Sequence, residues 1–263
     1  MLIPISDPSD PRLSAYANVP DPELLKSRGI FVAEGRLVVA RLLEGGRFQV
    51  QSVLVTGSAL KAMRDRLEQV AAPVYVVPQA VMNGVTGFNI HRGCLAIADR
   101  GSPRTPAVLL AAASRVVVLE RVANADNVGA LFRNAAAFGA DAVLLDPAST
   151  DPLYRKAIRT SMGAALSVPF ARLEPWPDAL QQLRENGFVL LGLVTTPDAP
   201  PIRTLAHALR GSRTALLLGH EGDGLTPAAR ASCSQLARIP MRPDVDSLNV
   251  ATAAAIALYE CSG

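Results

Sequence analysis

The chain has 263 residues, 49% apolar and 19% charged, with 26 Lys plus Arg against 23 Asp plus Glu. That length suits one large or two modest domains with a real core and excludes disorder as an overall description. A net charge of +3 permits a nucleic-acid partner without requiring one; of the 26 cations, all but Lys26, Lys61 and Lys156 are arginine.

Four prolines among polar residues between Ser6 and Pro22 predict an irregular lead-in over residues 1–22. The first residues lack the basic region and apolar run of a secretion signal, and no apolar run approaches the ~20 residues of a membrane span. A cytoplasmic protein with no membrane partner is the expectation.

Residues 23–100 read as a small α/β domain. Glu23–Arg28 and Gly35–Glu44 are expected as helices, the second stopped by Gly45-Gly46. Val50–Val55, Val74–Val77 and Leu95–Ala98 read as strands, with the amphipathic segment Ala59–Val70 between the first two. The Gly, Ser and Pro content beginning at Arg100-Gly101-Ser102-Pro103 marks residues 101–114 as a linker.

Residues 115–263 read as a second α/β domain. Val116–Leu119, Ala142–Leu145, Val189–Val194, Ala215–Leu218 and Leu236–Ile239 are short apolar runs alternating with helical patterns, which predicts a mostly parallel sheet. Leu248–Tyr259 is alanine-rich and apolar on most sides, so a packed helix is expected. Cys94, Cys233 and Cys261 are odd in number and form no CxxC pair, and no histidine stands at ligand spacing to another. Neither a disulfide framework nor a metal is expected.

Three polar clusters each follow a predicted strand: Asn124–Asn134, Gly219–Leu225, and Pro240-Met241 with Asp246–Val250. In an open parallel sheet these positions are the carboxyl ends, where ligands bind. Gly219-His220-Glu221-Gly222-Asp223-Gly224 is neither GxGxxG nor a phosphate-binding P-loop, which disfavours a dinucleotide or a triphosphate. Taken alone, it reads as an ordinary glycine-rich turn; taken with the others, it suits an adenosine-type cofactor held by main-chain groups.

The clusters resemble the three motifs of the SpoU-type, or TrmH-like, RNA ribose 2′-O-methyltransferases. Asn127, Gly129 and Arg133 match the first motif; Gly219, Glu221, Gly222 and Gly224 the second; Ile239-Pro240-Met241 and Ser247-Leu248-Asn249-Val250 the third. Lys156, Arg159, Ser161, Gly163 and Ala164 resemble a further family stretch. More loosely, Phe31–Gly35 and Gly93–Ala96 resemble the RNA-binding domain that precedes the catalytic one in many members, with a packing or dimerising domain as the other reading.

The resemblance implies a trefoil-knotted α/β methyltransferase domain, S-adenosylmethionine as cofactor, and a homodimer. It further implies methyl transfer to a ribose 2′-hydroxyl of structured RNA, ribosomal before transfer RNA, with an inactive RNA-binding homologue as the competing class. Arg133 is the expected activator of the hydroxyl. A guanidinium is a poor base, so a role in stabilising the alkoxide and gripping a phosphate is preferred. Asn127 would orient Arg133 or the ribose, Glu221 would bond within the site, and Ser247 and Asn249 would stand near the methyl donor, with helix capping as the alternative for Ser247. Leu218, Gly219, Ile239, Met241 and Leu248 are the expected cofactor contacts. RNA contact would fall to Arg155, Lys156 and Arg159, and to arginines of the first domain such as Arg28, Arg36 and Arg92. His220 departs from the Asn or Ser expected there and is given no role.

Overall fold

Two sheets organise the chain in the computed structural model, which describes residues 1–17, 20–86, 93–242 and 244–262. By contacts the chain divides into two compact units, Met1–Ser102 with Leu153–Ser167, and Pro103–Pro152 with Val168–Gly263. The stretch Leu153–Ser167, expected within the second domain, thus belongs with the first unit.

The first unit holds strands β1 (Leu2–Pro4), β2 (Ile30–Glu34), β3 (Val50–Thr56), β4 (Val74–Val77) and β5 (Cys94–Asp99), in the order β1-β4-β3-β5-β2. β1, β4 and β3 are parallel, whereas β5 runs antiparallel to both β3 and β2. The proline-rich start is therefore more ordered than its composition predicts. Leu2–Pro4 adds an edge strand, where Pro4 costs no interior ladder bond, and Pro11–Tyr16 forms a 3-10 helix capped by Asp10. Leu13 and Tyr16 are buried beneath it, and the Tyr16 hydroxyl meets Ser52 Oγ at 2.7 Å. Helices Asp21–Ser27, Arg36–Gly45 and Gly57–Glu68 fall within a few residues of their predicted bounds. Arg92 and His91 lie outside the described residues.

The second unit holds β6 (Arg115–Leu119), β7 (Ala142–Leu145), β8 (Phe170–Arg172), β9 (Val189–Leu193), β10 (Thr214–Leu218) and β11 (Gln235–Ala237), in the order β11-β9-β10-β6-β7-β8. Every pair is parallel. The central strands β6 and β10 are buried on both faces, which is why they read as continuous Val and Leu runs; each such side chain contributes roughly 1.5–3 kcal/mol. The chain builds outward from β6 through β7 to β8, then crosses and returns through β9 and β10, so the strand order reverses between β6 and β10. A ligand crevice belongs at the carboxyl ends beside such a reversal.

The predicted linker contains a helix, Pro106–Ala112, with Leu109 and Leu110 buried. The C-terminal helix, Val250–Glu260, packs its small residues Ala251, Ala254 and Ala257 inward and contacts the helix Ala125–Ala137. The three cysteines are free, and burial pushes the Cys94 thiol up to about 12 and that of Cys233 to about 11. No described helix is long and apolar enough to cross a membrane.

Candidate active site

After β6 the chain turns at Asn124, whose side chain accepts from Asp126 N at 2.8 Å and starts the helix Ala125–Ala137. Val128, Leu131, Phe132 and Ala135 anchor this helix to the core. Asn127 and Asn134, two turns apart, share the face turned to the C-terminal helix, and Asn134 Nδ2 donates to Ala251 O at 2.7 Å. Arg133 stands about 120° around the axis from Asn127 and is exposed. Among the described residues its guanidinium has no hydrogen-bond or ion-pair partner.

The second cluster is a closed loop. A side chain at Gly219 would run into the backbone of Gly224 and Leu225, so only glycine lets the loop fold back on β10. Gly224, with φ +67°, donates its N–H to His220 O at 2.9 Å. His220 Nδ1 accepts from Gly222 N at 3.1 Å and Asp223 N at 3.2 Å, as an Asn or Ser side chain would in a local turn. His220 therefore has a structural role that its departure from the motif did not suggest. Beneath the loop Glu120, 1% exposed, accepts from Trp176 Nε1 (2.7 Å), Thr226 N (2.8 Å) and Thr226 Oγ1 (2.7 Å), which ties the loop's far end to the tip of β6.

The third cluster ends in a cap. Asn249 Oδ1 accepts from Ala251 N at 2.9 Å and Thr252 N at 3.3 Å and begins the C-terminal helix. Capping thus falls to Asn249; Ser247 is exposed and faces the crevice instead. The Nδ2 of Asn249 donates to Asn127 Oδ1 at 2.9 Å, and Asn127 Nδ2 donates to Glu221 Oε1 at 2.6 Å. One hydrogen-bonded row therefore joins the third, first and second clusters.

Beside the row lies a crevice lined by Leu218, Gly219, Glu221, Ile239, Met241, Ser247 and Leu248. The structure so gathers every expected cofactor contact with Glu221 and Ser247 in one cavity, and Asn127 and Asn249 through the row. Of the polar lining residues, sequence reasoning missed Thr195 and Arg230, and gave no role to Asp223 and Asp246, which stand within the second and third clusters. Thr195 follows β9, and the carboxyl-end rule that exposed the other clusters applies to it equally. Arg230, on the short helix Pro227–Ser232, carries no motif.

The expected RNA-contact residues lie in the first unit, on the helix Arg155–Thr160. Arg155 is bonded within that unit, where its N and Nε both donate to Asp21 at 2.9 Å. Lys156 and Arg159 are exposed, Arg159 standing 3.7 Å from Glu34. Ser161 is buried, accepts from Ala165 N, and turns the chain where Arg41 donates to Met162 O at 2.5 Å. Of the first-domain arginines, Arg28 pairs with Glu23 at 3.3 Å and Arg36 is exposed. Among the described residues no three His, Cys, Asp or Glu side chains gather as a metal site.

The model of the SpoU rRNA Methylase family matches residues 114–259. A protein of Mycobacterium tuberculosis named an uncharacterized tRNA/rRNA methyltransferase is 43% identical over 260 residues, covering 97% of this chain and 90% of its own length. A Xanthomonas campestris protein named a 23S rRNA (guanosine-2′-O-)-methyltransferase is 31% identical over 232 residues, covering 84% of this chain and 92% of its own. Among solved structures, an AdoMet-bound rRNA methyltransferase from Sinorhizobium meliloti superposes with TM-score 0.83 at 24% identity, over 99% of this chain and 97% of that one. Such an agreement shows the α/β-knot fold. The family match over more than half the chain and the near full-length relative lead to one conclusion: this chain belongs to the SpoU rRNA methylase family.

Proposed function

We propose that the chain transfers a methyl group from S-adenosylmethionine to a ribose 2′-hydroxyl of structured RNA, ribosomal RNA before transfer RNA. The observation that carries this reading is the row Asn249–Asn127–Glu221, which draws polar groups from three strand ends to one crevice, with Arg133 unpaired on the same helix as Asn127. The name of the Xanthomonas relative supports the 2′-oxygen and ribosomal RNA as targets.

The lining suits such a cofactor. Leu193, Leu218, Ile239 and Met241 offer apolar contact for an adenosine, Glu221, Asp223 and Asp246 bring carboxylates toward cationic centres, and the buried Nε of Arg230 lacks an acceptor. When bound, S-adenosylmethionine supplies an electrophilic methyl on sulfur. The residues do the rest. Arg133 remains protonated, so it grips a phosphate and stabilises negative charge developing on the 2′-oxygen. Asn127 holds Glu221 through Oε1, and Oε2, with no partner among the described residues, is available to accept a proton. Asn249, fixed as a helix cap, holds Asn127 in turn.

The first unit is proposed to recognise the RNA, with Lys156 and Arg159 as phosphate contacts, and a second copy of the chain to complete the enzyme. Tyr259, a large side chain 68% exposed on the terminal helix, is the proposed contact with that copy. Purified protein incubated with methyl-labelled S-adenosylmethionine and separate ribosomal and transfer RNA pools, followed by mapping of 2′-O-methyl sites, tests the activity. Label on bases alone, or on neither pool, would overturn it.

A further inference from the structure

We infer that Arg230 holds the α-carboxylate of the methionine moiety of S-adenosylmethionine, so that the crevice reads the ligand's charges as well as its adenosine. The inference rests on the cofactor reading above.

Arg230 is half-buried, lines the crevice, and keeps a buried Nε with no hydrogen-bond acceptor. Among the described residues no carboxylate stands within ion-pair distance of its guanidinium. The other half-buried arginines of the unit are all engaged. Arg213 donates to carbonyls of Ala113 and Asn186, Arg172 to those of Asp146 and Ser149, and Arg238 to that of Ala199. Arg115 donates to Phe138 O and Cys261 O, and Arg121 pairs with Asp223. Among the described residues, Arg230 alone of these arginines keeps a desolvated donor, its Nε, with no acceptor. Glu120, the buried carboxylate of this region, already takes three donors from Trp176 and Thr226.

The guanidinium sits beside the glycine loop: a Cβ at Gly224 would lie 3.7 Å from its terminal nitrogen. The other charges lining the crevice are the carboxylates Glu221, Asp223 and Asp246. One cation among carboxylates complements a ligand with two positive centres, sulfonium and ammonium, and one negative one. A planar guanidinium suits the bidentate grip of a carboxylate.

Titration calorimetry with S-adenosylmethionine and with its decarboxylated form, which keeps both positive centres, tests this on wild type and on Arg230→Gln. Wild type should bind the decarboxylated ligand about tenfold or more weakly, the range of a charged hydrogen bond. Arg230→Gln should bind both ligands within about twofold of each other, and Arg230→Lys should restore part of the discrimination. Equal binding of the two ligands by wild type, which needs no variant to fold, overturns the assignment, as does a Gln variant that still discriminates. Failure of wild type to bind S-adenosylmethionine at all would instead overturn the cofactor reading, and this inference with it.

Discussion

Two helices carry arginines expected to meet RNA, and the fold treats Arg133 and Arg155 in opposite ways. On Ala125–Ala137, Arg133 is exposed and unpaired among the described residues, while its neighbours Asn127 and Asn134 are bonded to other segments. On Arg155–Thr160, Arg155 is held through two donors by Asp21, with side-chain exposures of 16% and 21%. A cation bound by its own chain already has a partner in the fold. One kept unpaired amid well-bonded neighbours is available to a ligand.

The sharpest way to break this contrast is Arg133→Ala. Methyl transfer should fall by about 10²–10³-fold or more, the effect of removing a donor aimed at developing charge, while cofactor affinity stays within about twofold. Single-turnover transfer beside calorimetric binding measures both; parallel losses would put Arg133 in the cofactor pocket instead.

The row offers the next test, because Asn249 does two jobs. Asn249→Ala removes both the cap and the bond to Asn127, and should cost about 1 kcal/mol of stability together with activity. Asn249→Ser keeps a capping oxygen and loses only the Nδ2 donor, so its thermal midpoint should stay near wild type while turnover drops. If Ser restores activity along with stability, the row is a cap and nothing more.

Arg155→Ala should behave in the reverse sense. Removing one partner of a mostly buried pair should lower stability by about 1–2 kcal/mol, measured by denaturant unfolding, with cofactor affinity unchanged. Arg159→Ala, whose contact to Glu34 is 3.7 Å long and whose side chain is 57% exposed, should cost well under ~1 kcal/mol.

How far these roles were legible depends on distance along the chain. The strands β6, β7, β9 and β10 announce themselves as short buried runs, and the first two motifs stand at the ends of β6 and β10. The cap and turn chemistry of Asn124 is local and equally readable. The helix Pro106–Ala112 was hidden behind its own start signal: Pro106 at the first helical turn reads as a linker proline until Leu109 and Leu110 are seen to be buried. β1 and β8 are three residues each, too short to show any period. The pairing of Arg155 with Asp21 spans 134 residues, and the orphaned Nε of Arg230 depends on what fails to come near it. No local pattern encodes either.

The smallest expected effect separates the two kinds of arginine in RNA binding itself. Phosphate contacts release counterions, so each one lost should lower the slope of log K against log salt by about 0.7–0.9. Lys156 and Arg159 are exposed on the helix where Arg155 is not, and Arg159 is only loosely held by Glu34. Lys156→Ala and Arg159→Ala should therefore each flatten the slope while leaving affinity at high salt almost unchanged. Arg155, already neutralised by Asp21, releases nothing on meeting a phosphate. Its substitution by Gln, which retains a donor toward Asp21, should leave the slope alone. A salt titration that found the Arg155 variant as flattened as the other two would mean that Asp21 surrenders its partner to the RNA, and that a cation bonded within the chain can still be a functional one.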